Sequence, residues 1–561
     1  MEGIFFQIAL VISTAAVLTI IFRIFKQPAI LAYMLTGILL GPLNIFHVAH
    51  FGALSTLGQL GITLLLFMLG LELRLKDLKS IGKTAILAGT LQMLFTCLFG
   101  GMLAVFLGFP FVTSVYLGIA LSFSSTIVIV KLLSDKKDLN SLHGKLAIGI
   151  LLVQDFFAIL TLILLNNPLS LNGTFFLQIG LIMLKFVVLA GWMWVISEFV
   201  FPFFLPKISK SAETLFLFSL GWVFAITALV ASPFIGFSLE IGGFLAGLAL
   251  ANTYENYQIA ARMSALRDFF VTIFFVSLGV EMTFTHLNVY IIPGVIFVLF
   301  IIFVKPLITS WIIGFLGFKK RTSFSVGASL AQISEFSLLV LFLGKVKGVF
   351  PEEVVSMMIL ISIITFVLST YIIQKWHAIY KIIGKYIYIP EHERRHSAYI
   401  NSQSSYDHLK NHVILIGGHQ MGQSIIHALE QTKEQVLVID FDPDVVRKLK
   451  EQGIEVFFGD ISDPEIQERA GFDRAKLVIS TVPDVEDNLI LLAEIKHVNK
   501  DALIVMIALE SEAAHALYAG GADYVVLPHL AGGHHLAKIL VDKNHLEMIE
   551  KYKAKDMKYL K

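Results

Sequence analysis

Long apolar runs alternate with short polar breaks as far as residue 374, and there the pattern changes. The runs fall at 4–22, 28–43, 53–71, 84–108, 111–133, 143–165, 174–200, 212–231, 235–251, 268–283, 288–316, 323–344 and 352–374. About 20 apolar residues suffice for a helix to cross a bilayer, so these thirteen runs predict as many spans. Past Trp376 the runs shorten, residues 381–411 are polar, and from 412 onward short strand-like stretches alternate with helical ones. The expected strands are His412–Ile416, Gln435–Ile439, Ile454–Phe458, Lys476–Ser480, Leu503–Ile507 and Tyr524–Val526. Such alternation makes a doubly wound parallel sheet, a Rossmann-like α/β fold. The chain thus divides into a polytopic α-helical membrane domain (1–376), a linker (377–411), an α/β domain (412–541) and a charged C-terminal helix (542–561).

Composition agrees with a bilayer as solvent. Of 561 residues 56% are hydrophobic, with a mean hydropathy of +0.78. The net charge is +1 and no dense basic tract appears, so nucleic acid is not an expected partner. The single cysteine, Cys97, excludes an intrachain disulfide framework and a cysteine-cluster metal site. Glu2 stands where a signal peptide would be basic, which predicts a retained first span. Loops after odd-numbered spans carry Arg23 and Lys26, then Arg74, Lys76 and Lys79, then Lys136 and Lys137, and later Lys319, Lys320 and Arg321. Loops after even spans carry few, Lys345 and Lys347 excepted. Lys and Arg mark the cytoplasmic side, so the N-terminus is expected outside and everything after span thirteen inside.

Polar residues interrupt the spans at particular places. Asp155 sits in the middle of span six, in LLVQDFFAIL, where an acid costs roughly 2.5–3.5 kcal/mol on insertion scales. It is a candidate functional carboxylate, or else a hydrogen-bonding partner for a neighbouring helix. Span five carries Ser122, Ser124, Ser125 and Thr126, which suit a helix unwound at mid-membrane or ordinary hydroxyl bonds to the helix backbone. Gly242, Gly243 and Gly247 in span nine fit close helix packing. Span eleven holds Lys305-Pro306 with more than ten residues of the run on each side, too deep for easy snorkelling. Span twelve is interrupted by Gln332, Ser334, Glu335 and Ser337. A hydroxyl-rich span before an acid, mirrored by a lysine span before a polar one, is the order an inverted repeat with crossed broken helices would give.

The stretches LLLFMLGLEL (64–73), LSFSSTIVIVKLLSD (121–135), VQDFFAIL (153–160), GGFLAGLALA (242–251), FFVSLGVEM (274–282), FVKPL (303–307) and AQISEFSLLV (331–340) resemble the monovalent cation:proton antiporter-2 family. The resemblance implies a core and a dimerisation domain, a homodimer in the cell (inner or plasma) membrane, and exchange of potassium or sodium for protons. It carries over Gln154, Asp155, Ser124, Ser125, Thr126 and Lys305 as site residues, and Glu335 joins them as a second intramembrane acid. Desolvation disfavours the ionised form of a carboxylate, so a buried acid can hold a proton or a cation but not both. Residue 154 is Gln where some relatives carry a second acid, which leaves the stoichiometry open. The glutathione-gated members have an acidic loop after span nine. The corresponding NYQIAARMSALRDFF (256–270) has Arg262, Arg267 and one acid, Asp268, so that gating is not expected.

In the α/β region the first strand runs into Gly417-Gly418-His419-Gln420-Met421-Gly422. Against G-x-G-x-x-G the first and third glycines are present and the second is His419. Asp440, about 20 residues on, stands where an acid meets ribose, and Asp460 follows the third strand. ILIGGHQMGQSI, VLVIDFDPDVV, FFGDISDPEI and GADYVVLP resemble the RCK-N (TrkA-N) domain. The second glycine of the motif normally admits a pyrophosphate. His419 therefore makes AMP or ATP a better expected regulatory ligand than NAD or NADH, or leaves a pocket that serves dimerisation alone. No substrate domain or catalytic pair accompanies the fold, so an enzyme is not expected. A regulated antiporter leads, with a nucleotide-gated potassium channel and a non-transporting nucleotide sensor as alternatives.

Overall fold

Backbone N–H and C=O groups have no water to bind inside a bilayer, so apolar runs of this length must close their hydrogen bonds as helices. A computed structural model describes residues 4–43, 52–72, 82–136, 138, 141–166, 175–233, 235–284, 287–390, 408–418, 420–432, 434–440, 443–459, 469–482, 485–541 and 552. The chain forms two compact units, residues 1–391 and 392–561.

The first unit is helical. In chain order its helices are α1 (Ile4–Ile24), α2 (Ala29–Leu40), α3 (Gly52–Glu72), α4 (Gly82–Phe106), α5 (Phe111–Ser122), α6 (Thr126–Asp135), α7 (Leu142–Asn166), α8 (Phe175–Val195) and α9 (Phe201–Ile208). Then come α10 (Ala212–Val230), α11 (Leu239–Leu250), α12 (Asn256–Val280), α13 (Ile291–Leu299), α14 (Lys305–Phe315), α15 (Lys320–Ser329), α16 (Glu335–Val346) and α17 (Glu352–Ile383). Each expected apolar run overlaps one of these helices or a broken pair. Among the described residues 9 helices are long and apolar enough to cross a membrane, while 29–40, 57–71 and 239–250 are shorter apolar helices. The count of thirteen crossings therefore stays an expectation.

Three local departures from the sequence pattern have physical causes. Residues 256–270 form no loop but the first half of α12, because no Gly or Pro interrupts Asn256–Leu278 and the charges lie along a helix. The run of 288–316 is not one regular helix. Pro306 lacks an N–H and cannot close the usual bond one turn back, and a π turn over Phe300–Val304 absorbs the fault between α13 and α14. The last helix does not stop at 374 but continues to Ile383 past a non-helical Lys375. Span nine behaves as its glycines suggest: a Cβ at Gly243 or Gly247 would press on the backbone of α3 at Thr63 or Phe67.

The second unit is a parallel sheet of β1 (Val413–Ile416), β2 (Val436–Asp440), β3 (Val456–Phe458), β4 (Leu477–Ser480), β5 (Leu503–Ile507) and β6 (Tyr524–Val526). The strand order is β3-β2-β1-β4-β5-β6, each pair parallel. Side chains alternate across a strand. Ile414 and Ile416 accordingly enter one core with Leu437 and Ile439, and Leu415 enters the other with Val438 and Val446. Helices α18 (Gln420–Gln431), α19 (Pro443–Glu451), α20 (Val485–Val498), α21 (Ser511–Gly520) and α22 (Pro528–Val541) alternate with the strands. Residues 391–407 of the expected linker, and all of the expected C-terminal helix except Tyr552, lie outside the described residues.

Candidate functional site

Two helices break where the hydroxyl- and amide-rich sequences stand. Between α5 and α6 the chain is extended at Phe123 (φ −77°, ψ 151°) and Ser125 (φ −73°, ψ 115°). Between α15 and α16 residues Leu330–Ser334 leave the helix. The breaks touch: Ser124 Oγ donates to the Leu330 carbonyl at 3.2 Å, and Gln332 Nε2 to the Ser125 carbonyl at 3.4 Å. Ser337 Oγ adds a bond to the Ala120 carbonyl at 2.5 Å.

A broken helix exposes carbonyls at one half's end and N–H groups at the other's start, with partial negative and positive charge respectively. The protein answers both signs. Lys305 is wholly buried, and its Nζ donates to the Phe123 carbonyl at 2.6 Å and the Gln332 carbonyl at 2.7 Å, one from each break. A snorkelling lysine would point to the interface; this one ties two carbonyl ends together. At the positive ends, Ser125 caps α6 by accepting from Val128 N–H. Ser334 caps α16 in a reciprocal box with Ser337.

The acids gather at these positive ends. Asp155 on α7 is 1% exposed, and both its oxygens lie in reach of the Thr126 hydroxyl, at 3.2 and 3.0 Å. Thr126 is the first residue of α6, so the carboxylate stands beside a helix N-terminus, where negative charge is favoured. Glu335 is the first residue of α16, buried, with hydrogen bonds from the Ser334 and Ser125 side chains. Gln154 Oε1 accepts from the Ser124 N–H at 2.9 Å. The residues read from the sequence as ion-binding are thereby brought around one crossing.

Two polar groups at this crossing, Gln92 and Ser369, were not singled out by sequence. Gln92 on α4 accepts from Gln154 and donates to the Ser122 carbonyl. Ser369 on α17 donates to Gln332 Oε1 at 2.5 Å. Lone Gln or Ser residues in apolar runs carry no motif; their isolation inside a span was the available signal.

In the sheet unit, β1 is followed by Gly417 at φ +89°, a left-handed conformation that favours glycine. Thr481 Oγ1 donates to the Ile416 and Gly417 carbonyls and holds the turn. A Cβ at Gly422 would strike the Gly417 carbonyl, so the third motif glycine lets α18 pack on the turn. Asp440 ends β2, nearly buried, and its Oδ2 accepts from the Gly418 N–H at 2.7 Å. Gln420 and Met421 open α18. His419 and Asp460 lie outside the described residues. The turn stands at the carboxyl end of β1, where the strand order reverses between β1 and β4, the crevice in which such sheets bind ligands.

Crossed broken helices with buried acids and a buried lysine define a secondary-transporter membrane unit, here carried on one chain with a doubly wound α/β domain. The sodium/hydrogen exchanger transmembrane family model matches residues 11–376, and the TrkA-N domain model matches 413–528. The chain belongs to the sodium/hydrogen exchanger family, with the exchanger-plus-TrkA-N layout of the monovalent cation:proton antiporter-2 group. It is 26% identical over 508 residues to the putative cation/proton antiporter YbaL of Escherichia coli, covering 89% of this chain and 90% of that one. It is 31% identical over 346 residues to K(+) efflux antiporter 5 of Arabidopsis thaliana, covering 60% of each chain. The putative K(+) efflux antiporter KefB of Alkalimonas amylolytica is 24% identical over 536 residues, 94% of this chain and 79% of its own. Among solved structures the sodium proton antiporter MjNhaP1 of Methanocaldococcus jannaschii shares the fold: TM-score 0.51 at 18% identity, over 66% of this chain and 96% of that one.

Proposed function

We propose that the protein exchanges a monovalent cation, potassium or else sodium, for protons at Asp155 by alternating access. The observation that carries this reading is the buried carboxylate beside the N-terminus of α6, at the crossing of two broken helices. In the protonated state the Asp155 hydrogen needs one acceptor, and the Thr126 hydroxyl is at hand. In the cation-bound state the ion exchanges its water for hard oxygens. Asp155 supplies charge, and Thr126, Ser124, Ser125 and Gln154 supply neutral oxygens. Lys305 holds the two carbonyl ends against each other, and Glu335 offers a second carboxyl at the opposite half-helix. Because proton and cation compete for Asp155, opening the site to one side at a time couples their movements.

The names of the K(+) efflux relatives favour potassium. The basic loops favour an outside N-terminus and a cytoplasmic sheet domain in the cell membrane, and the resemblance favours a homodimer. We infer that the domain over 412–541 regulates exchange by binding an adenine mononucleotide at the turn of 417–422, with phosphate on the start of α18 and ribose on Asp440. Purified protein in proteoliposomes tests the reading. Proton flux that saturates with potassium or sodium supports exchange; voltage-driven cation current without proton movement replaces it with a channel; neither leaves a sensor.

A further inference from the structure

Breaking a helix inside a membrane frees backbone groups that must find partners away from water. Between α5 and α6 most of those partners stand in the quoted sequence motifs. Gln92 does not. It lies on α4, outside every motif quoted above, and is wholly buried. Its Nε2 donates to the carbonyl of Ser122, the last residue of α5, at 3.2 Å and to Thr96 Oγ1 at 3.1 Å. Its Oε1 accepts from Gln154 Nε2 at 2.5 Å. Gln154 Oε1 in turn accepts from the Ser124 N–H at 2.9 Å.

These bonds close a loop that leaves the break at Ser122 and returns to it at Ser124. A carboxamide has one donating and one accepting end, so the loop has a direction. The Ser122 carbonyl needs a donor, which turns the amide of Gln92 toward it and its oxygen toward Gln154. Gln154 must then present its own amide to Gln92, which leaves its oxygen for the Ser124 N–H. Reversing either side chain would set two acceptors or two donors face to face. Gln92 thereby decides which end of Gln154 meets the break.

We propose that Gln92 is a positioning residue of the exchange site, acting through Gln154 to fix Ser124 and the break oxygens that receive the cation beside Asp155. The inference rests on the exchange reading above. Its test is exchange in proteoliposomes, with potassium and sodium offered separately, for Gln92→Ala, Gln154→Ala, the double variant and Asp155→Asn. Gln92→Ala is expected to raise the apparent cation KM roughly tenfold, equivalent to about 1.4 kcal/mol. The double variant is expected to match Gln154→Ala within about twofold, because the first change acts through the second. An unchanged KM in Gln92→Ala, or an effect that adds in full to that of Gln154→Ala, overturns the proposal. Should Gln92→Ala not fold, Gln92→Met decides: it fills the space of Gln92 without either hydrogen-bonding end and is expected to raise the KM roughly tenfold, and an unchanged KM overturns the role. Asp155→Asn separates the two failures. Continued exchange there removes the exchange reading itself, whereas a dead Asp155→Asn beside an unchanged Gln92→Ala removes only the role of Gln92.

Discussion

Replacing Lys305 by Ala removes two charge-assisted hydrogen bonds, to Phe123 at 2.6 Å and Gln332 at 2.7 Å. Both acceptors are carbonyls of broken helices, buried where water cannot substitute. Leaving a buried acceptor unsatisfied costs about 1–3 kcal/mol, so two of them cost roughly 2–6 kcal/mol, a large part of the ~5–15 kcal/mol that holds a typical fold. The loss also removes the positive charge that faces the negative ends of α5 and α15. Thermal melting in detergent and the pH profile of exchange read the two effects separately. Lys305→Ala is expected to melt several degrees lower and to exchange weakly, with a shifted pH optimum. Lys305→Gln restores an N–H donor without the charge, so it is expected to recover part of the melting temperature and none of the pH profile. An unchanged pH profile in both variants would make the lysine a structural tie only. An unchanged melting temperature as well would refute the reasoning about the carbonyl ends.

Two further outcomes concern the sheet unit, which has its own hydrophobic cores. Calorimetry on the fragment from about residue 405 onward is expected to find AMP or ATP binding, weaker NAD binding, and no binding after Asp440→Ala. Silence toward all of AMP, ATP, NAD and NADH would leave a dimerisation module, and tight NADH binding would refute the inference from His419. His412 is wholly buried, with Nε2 3.1 Å from the Ala470 carbonyl, and burial holds its imidazole below its ordinary range. The unfolded chain protonates this histidine near pH ~6.5 while the fold keeps it neutral. Its contribution is therefore present above that pH and lost as the pH falls below it. The melting temperature of the fragment is expected to drop from pH 7 to pH 5.5, and less so in His412→Gln; an equal drop in both would contradict the assignment.

Much of this architecture is legible in sequence because bilayer and sheet impose simple rules. Apolar runs must be helices, and four of the six expected strands begin or end within a residue or two of β1–β4, the other two coinciding with β5 and β6. The charged run at 256–270 looks like a loop by composition, yet nothing in it breaks a helix. Asp155, Lys305 and the Ser124–Thr126 hydroxyls stand out because charge and hydroxyl are costly in a span. Their partners do not. Gln92 meets Gln154 across 62 positions and Ser124 meets Leu330 across 206, and a lone Gln in an apolar run looks the same whether or not it closes such a loop. The π turn at Phe300–Val304 is likewise invisible until Pro306 is placed in a helix that must continue past it.

Asp155 is the group on which exchange depends in this scheme, and Asn is its nearest non-ionisable replacement. Proton flux driven by potassium or sodium, measured in proteoliposomes of Asp155→Asn beside the unmodified protein, therefore bears on it most directly. Loss of cation-driven proton flux in a variant that still folds is the expected result, because an amide cannot release and regain the exchanged proton. Sustained cation-driven proton flux in Asp155→Asn would contradict the assignment of Asp155 as the carrier.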